Sequence, residues 1–136
     1  MSQSPRQVEC VIPVLRVQDL ARSVRFYTDV LGFKLDWGAK AGDTLGSVSR
    51  DGCAIMLSAG SRGQPRTWVW IGLEDDSLFG VVEGRGAKVL QGPKNFPWAY
   101  EMKIADPDGH VLWLGTEPKQ DLPFASATDT EGLLLD

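Results

Sequence analysis

The 136 residues predict an α+β fold in which a strand, a helix and three further strands occur twice in the same order. Three observations carry that reading. Leu20, Val24, Tyr27 and Leu31 recur at helical spacing between Asp19, a capping residue type, and Gly32, which suits the left-handed position just past a helix end. Two sharp turn sequences, Asp51-Gly52 and Asp106-Pro107-Asp108-Gly109, separate runs of strand composition. The order of elements then restarts after Ala59-Gly60-Ser61-Arg62-Gly63-Gln64-Pro65, which has linker composition and lies near the midpoint of the folded part.

Taken in order, the first strand covers residues 8–17, and the capped helix runs from Asp19 to Gly32. Short strands follow at 33–37, 45–50 and 53–58, the last two joined by the Asp51-Gly52 hairpin turn. The second half opens with a strand at 66–73. Its helix begins at Glu74-Asp75-Asp76, buries a stripe of Leu78, Phe79 and Val82, and ends at Gly86. Gly80 and Gly84 weaken this helix by about 1 kcal/mol each relative to alanine. Strands at 87–91, 98–105 and 110–115 complete the order. Beyond Glu117 the chain is rich in Pro, Asp and Thr and shows no periodicity until Leu133-Leu134-Leu135, so residues 118–136 form a tail that is either disordered or laid on the surface.

Composition narrows the function. The hydrophobic share of 43% and charged share of 24% are those of a water-soluble globular chain, and no apolar run is long enough to span a membrane. The first seven residues lack a signal core, which points to the cytoplasm and to Cys10 and Cys53 as thiols in strands. A net charge of -4, with 14 basic against 18 acidic residues and no basic run, disfavours nucleic acid as a partner and mildly favours cationic ligands.

The strongest functional signal is the spacing of Trp68 and Trp70 in Thr67-Trp68-Val69-Trp70-Ile71-Gly72-Leu73. In an extended strand both indoles share one face, while Val69, Ile71 and Leu73 take the other. A sheet needs apolar groups on only one side, so the second face is either another piece of core or a covered surface such as a groove or a partner contact.

The repeated plan, with Val14-Leu15-Arg16-Val17-Gln18-Asp19-Leu20, Phe26-Tyr27-Thr28-Asp29-Val30-Leu31-Gly32-Phe33 and Asp106-Pro107-Asp108-Gly109, resembles the glyoxalase, bleomycin-resistance and extradiol-dioxygenase superfamily over residues 8–117. Thr67-Trp68-Val69-Trp70-Ile71 and Pro97-Trp98-Ala99-Tyr100-Glu101-Met102 look most like the metal-free, bleomycin-resistance-like branch. The resemblance implies one domain over 8–117 built of two βαβββ modules, about 8–60 and 66–117. These form an incomplete barrel with a shared cleft, usually in a homodimer. Metal-using members place His or Glu at four cleft positions, and register with these motifs puts Ile12, Met56, Trp68 and Trp113 there. None of the four is a ligand for a hard metal.

Other chemistry has few carriers. His110 is the only histidine and follows a turn, where it reads as an exposed or half-exposed residue without a catalytic task. Asp106 and Asp108 read as turn formers. Glu101 alternates with Met102 and Ile104 and therefore shares a side with Lys103. It either meets a cationic group of a ligand in the cleft or pairs with Lys103 or Arg16 in solvent. The aromatic set comprises Trp37, Trp68, Trp70, Trp98 and Trp113, with Phe96 and Tyr100 beside the Pro97-Trp98 turn.

A ligand site of Ile12, Trp37, Met56, Trp68, Trp70, Phe96, Trp98, Tyr100, Glu101 and Trp113 follows, with no catalytic residue, metal or cofactor. The expected function is sequestration of planar, cationic, bleomycin-like or related antibiotics by stacking. Two rivals stand beside it. One is a lyase or dioxygenase with a metal site displaced to Glu101, His110 or nearby aspartates. In the other, the tryptophan face serves as a protein interface.

Overall fold

Residues 5–126 are described by the computed structural model and hold eight strands and two helices. The first module comprises β1 (Val14–Arg16), α1 (Leu20–Asp29), β2 (Lys34–Gly38), β3 (Leu45–Arg50) and β4 (Cys53–Ser58). The second comprises β5 (Trp68–Gly72), α2 (Ser77–Gly84), β6 (Lys88–Asn95), β7 (Tyr100–Ala105) and β8 (Val111–Thr116). Each module makes a four-stranded mixed sheet, ordered β1-β4-β3-β2 and β5-β8-β7-β6, and the two are not closed into a barrel. The β1–β4 and β5–β8 pairs are parallel, and the others antiparallel. The α+β fold with two βαβββ modules is therefore present.

Period-two alternation decides which strand residues enter the core. Leu15, Val48, Ile55 and Leu57 from the first sheet join Leu20, Val24 and Tyr27 of α1. Met102, Ile104, Leu112 and Leu114 from the second join Phe79 and Val82 of α2, and all belong to one apolar cluster. Full burial of a side chain of this size is worth about 1.5–3 kcal/mol.

The helix ends obey local chemistry. Asp19 accepts the Arg22 N–H at 3.1 Å. Gly32 (φ 74°) turns the chain back in the left-handed conformation, and the Phe33 N–H then reaches the Tyr27 carbonyl at 2.9 Å. At α2 the acidic start works one residue earlier than a standard cap. Asp75, not Asp76, accepts both the Ser77 N–H (2.9 Å) and its hydroxyl (2.6 Å). These bonds hold the Asp75 carboxyl below its ordinary range.

Three expected boundaries move. The strand expected at 8–17 is confined to Val14–Arg16, because Pro13 has no N–H to donate to a ladder; Val8 and Val11 lie exposed ahead of it, and Cys10 is outside any strand. The strand expected to stop at Gln91 runs through Gly92-Pro93 to Asn95, since β6 is an edge strand whose two register shifts absorb the proline. Trp98 sits in a turn and not in β7. Phe96 and Ala99 exchange backbone hydrogen bonds (2.8 and 3.3 Å) around Pro97-Trp98, which is the tip of the β6–β7 hairpin.

The modules are tied by the second turn. Asp106 Oδ1 accepts the N–H groups of Asp108 and His110, as a turn-forming aspartate should. Its Oδ2 takes the Tyr27 hydroxyl at 2.8 Å. Asp108 reaches the start of α1, accepting from the Gln18 N–H, Ser23 Oγ and Arg22 Nη2. Burial outweighs these donors at Asp106 and raises its carboxyl above the ordinary range. Burial, then the Asp106 charge, pushes the Tyr27 hydroxyl well above its usual value.

His110 is fully buried, a correction to the expected exposed turn residue. Its Nδ1 accepts the Thr67 N–H at 2.9 Å, so Nε2 carries the proton and donates to the Arg16 carbonyl at 2.6 Å. The ring thus staples β1 to the start of β5.

Of the tail, Asn95 fixes the described part. It donates to the Lys119 and Leu122 carbonyls and accepts the Lys119 N–H, while its own carbonyl takes the Ala125 N–H. Leu133-Leu134-Leu135 lies outside the described residues.

Candidate functional site

The second sheet carries its core residues on one side and the indoles on the other. Register lines up Trp70, Trp113, Lys103 and Gln91 across the four strands, with Trp68, Val111, Ala105 and Lys88 in a parallel row. The central indole is Trp113. Trp70 meets it edge to face at 4.9 Å between centroids and Trp68 at 6.2 Å. Trp68 and Trp70 remain 40% and 49% exposed, so the three rings form an accessible aromatic surface and not a sheet core. Trp70 needs a neighbour without a side chain. A Cβ on Gly115 would overlap its six-membered ring, so the glycine of β8 is the seat on which this indole lies.

Glu101 organises the set. It is fully buried, and both carboxylate oxygens are engaged. Oε1 accepts the Trp98 indole N–H at 2.7 Å, while Oε2 accepts the Trp113 indole N–H at 2.7 Å and the Lys103 ammonium at 2.9 Å. Lys103, itself buried, also donates to Gln91 Oε1 at 3.0 Å and stands 5.5 Å from the Trp113 ring centroid. Gln91 Nε2 is buried without a hydrogen-bond partner, so the network ends there. Trp98 stacks flat on buried Phe96, with centroids 4.7 Å apart and planes within 3°. One carboxylate therefore fixes two indoles on different elements, the hairpin tip and β8.

Not every expected site residue joins this face. Tyr100 has the opposite parity and stacks on Phe79 of α2 in the core, 5.4 Å between centroids, while Phe96 is buried beneath Trp98. Trp37 is 46% exposed on β2 of the other sheet and makes no ring contact with the other tryptophans. Met56 pairs with Val14 and Ser47 in the first sheet. Ile12 lines a seam of about 510 Å³ that also touches Trp70. Glu101 does face the indoles with Lys103, yet the pair is buried and not solvated, a geometry that alternation alone does not distinguish. Gln91 and Gly115 are members of the face that the sequence alone does not point to, and Lys103 enters it as the buried partner of Glu101 and not as a solvated one. Neither Gln91 nor Gly115 carries a signal before its strand partner is known.

The four family metal positions do not fit a cation. Ile12, Met56, Trp68 and Trp113 offer one thioether among them, and Trp68 lies opposite Val111 while Trp113 lies opposite Trp70. Among the described residues no group of three His, Cys, Asp or Glu side chains is placed to hold a metal. The residues of the displaced site are engaged elsewhere: Glu101 by indoles and Lys103, His110 by two backbone groups, Asp106 by Tyr27 and its own turn.

Solved structures share this architecture. TnmS3, an antibiotic binding protein from Streptomyces sp. CB03234, is 24% identical with a TM-score of 0.70, covering 87% of this chain and 100% of its own. TioX from Micromonospora sp. ML1 is 20% identical with a TM-score of 0.69, over 78% and 96%. A glyoxalase/bleomycin resistance protein from Streptomyces sp. CB03234 is 25% identical with a TM-score of 0.65, over 76% and 96%. No curated protein sequence matches the chain. The family model for the Glyoxalase/Bleomycin resistance protein/Dioxygenase superfamily matches residues 8–114, and the chain belongs to that superfamily.

Proposed function

We propose that this protein binds planar aromatic small molecules on the Trp68, Trp70 and Trp113 face without a metal, and that it sequesters them instead of transforming them. The observation that carries this is the Glu101 hub. It buries a charged carboxylate to hold the Trp98 and Trp113 indoles in fixed orientations, which a surface without a task does not require. Each aromatic contact with a ligand contributes about 0.5–1.5 kcal/mol beyond area burial. Covering about 200 Å² of ligand adds about 5 kcal/mol, leaving micromolar binding after association costs. The one carboxylate beside the indoles is taken up by Lys103 and two indole N–H groups, so the three-ring surface carries no free general acid or base. Of the two partners expected for Glu101, a ligand cation or a basic side chain, Lys103 takes the place, so ligand charge is set elsewhere.

TnmS3 is named as an antibiotic binding protein, which agrees with a binding role on this fold. The working unit in this reading is the domain over 8–117 as a cytoplasmic homodimer. Four tryptophans are at least 40% exposed, more aromatic surface than a monomer usually leaves bare, and a second copy can wall the cleft. Titrating bleomycin and fused-ring antibiotics into the protein should quench tryptophan emission saturably. Unchanged emission at high micromolar concentration of all of them overturns the reading, as does stoichiometric zinc, nickel, iron or manganese in protein purified without chelator.

A further inference from the structure

One end of the indole face is a groove of about 460 Å³, within the size range of small-molecule sites. Its floor follows the register row already described: Trp68 on β5, Val111 on β8, Ala105 on β7 and Lys88 on β6, with Leu90 beside them and Arg66 at the entry to β5. The lining contains two cations, one half-exposed indole and small apolar groups, and no acidic residue. Arg66 and Lys88 are both exposed, and neither makes an ion pair or side-chain hydrogen bond among the described residues, although acids outnumber bases in the chain by 18 to 14. Arg66 also holds a left-handed backbone (φ 56°), a conformation costing an L-residue about 1 kcal/mol, at a position where glycine or asparagine would sit more easily. The charge lining this groove is therefore opposite in sign to the net charge of the chain, and it is the nearby charge that a docked ligand meets most strongly.

We infer that this groove takes a planar arene bearing an anionic group, with the ring against Trp68 over the Val111 and Ala105 floor and the anion between Arg66 and Lys88. The inference rests on the aromatic-face reading above and specifies its ligand class. It reverses the expectation drawn from net charge, because a net charge of -4 spread over the surface is screened within about 10 Å, whereas two unpaired cations border the groove itself. Guanidinium and ammonium together suit a carboxylate, sulfonate or phosphate, and the guanidinium can bind it through two parallel hydrogen bonds.

The test uses three isosteric probes in calorimetric titrations of the full chain at pH 7.4: 2-naphthoate, neutral 2-naphthamide and cationic 2-naphthylmethylammonium. Naphthoate should bind at least tenfold more tightly than naphthamide at 20 mM salt, and the ammonium probe more weakly than either. Raising salt to 500 mM should erase most of the naphthoate advantage while leaving naphthamide unchanged. Arg66→Asn keeps a residue that tolerates the left-handed backbone, and Lys88→Gln changes an exposed edge-strand residue. Each should cost naphthoate about fivefold, and the double variant should abolish its preference with naphthamide affinity intact. Equal binding of all three probes, tighter binding of the ammonium probe, or a preference that survives the double variant overturns the inference. Equal binding that is lost in Trp68→Ala would do so while leaving the aromatic-face reading standing. Loss of naphthamide binding together with antibiotic quenching would mean failure of that reading itself.

Discussion

Replacing Glu101 by glutamine should be among the most damaging single changes on the indole face, and its size can be worked from the geometry. The carboxylate and the Lys103 ammonium are 2.9 Å apart, with side chains 0% and 4% exposed. Their gross attraction is about 6 kcal/mol at an effective dielectric of about 20, most of it offset by the cost of taking both charges out of water. Removing one charge forfeits the attraction and leaves the other's desolvation unmatched, a loss of about 3–5 kcal/mol. Glutamine also keeps only one acceptor oxygen for two indole N–H groups, and its amide donates where Oε2 accepted from Trp113 and Lys103. Urea unfolding followed by far-ultraviolet circular dichroism measures this without relying on the perturbed tryptophans. Lys103→Met alone should cost about 3 kcal/mol, but Glu101→Gln with Lys103→Met should cost less than the sum of the singles by at least about 1.5 kcal/mol, because the double change buries no unmatched charge. A Glu101→Gln loss under about 1 kcal/mol, or strict additivity in the cycle, would refute a buried, charge-paired hub.

Two other changes probe the seat of Trp70 and the buried hydroxyl between the modules. Gly115→Ala should expel the Trp70 ring from β8 at a cost of about 1 kcal/mol or less, since that ring is already half-exposed and free to swing outward, and the near-ultraviolet dichroism from the Trp70–Trp113 contact should collapse; an unchanged spectrum would show that the ring does not lie there. Tyr27, whose hydroxyl is held above its ordinary value first by burial and then by the Asp106 charge, binds its proton more tightly folded than unfolded. Its contribution is complete below about pH 10 and is lost as pH rises beyond it, so Tyr27→Phe should cost about 1.5–3 kcal/mol at neutral pH and flatten the alkaline limb of urea midpoints; a variant limb as steep as the original would contradict this.

Local chemistry made the fold readable. The α1 cap and its left-handed Gly32 ending, the Asp51-Gly52 hairpin (φ 52° and 80°) and the Asp106–Gly109 turn are each encoded within a few residues, and all form as expected. The start of β1 turned on a local residue, Pro13, whereas the end of β6 turned on a non-local fact. Gly92-Pro93 breaks a central strand but not an edge strand, and only the β5-β8-β7-β6 order makes β6 an edge. His110 read as exposed because a residue after a turn usually is; its burial depends on Thr67 and Arg16, 43 and 94 residues away. At the site, strand parity puts Trp68 with Trp70 and, separately, Glu101 with Lys103; that the two pairs share a face follows from the β5-β8-β7 register, which no single strand reveals. Parity also puts Tyr100 opposite to Glu101, so grouping both near the Pro97-Trp98 turn overrode a signal that was present.

In the proposed reading, the hub sets what kind of recognition this face would perform. An indole offers one donor, its N–H, and two π-faces. Because the N–H groups of Trp98 and Trp113 are turned inward onto Glu101, these rings present carbon surface and no directional polar group to anything outside. Lys103 neutralises the carboxylate that turns them, and so cancels the field a bare acid would project through the rings. The polar bonds thus fix the geometry of the platform without specifying the ligand's substituents, which favours tolerance among fused-ring molecules over fine discrimination. Discrimination must come from groups outside the hub. Arg66 and Lys88 occupy the end of the same sheet face, where a substituent projecting from a stacked ring would meet them. If that division of labour holds, variants at Glu101 should weaken all planar ligands together, whereas variants at Arg66 and Lys88 should change only which of them binds best.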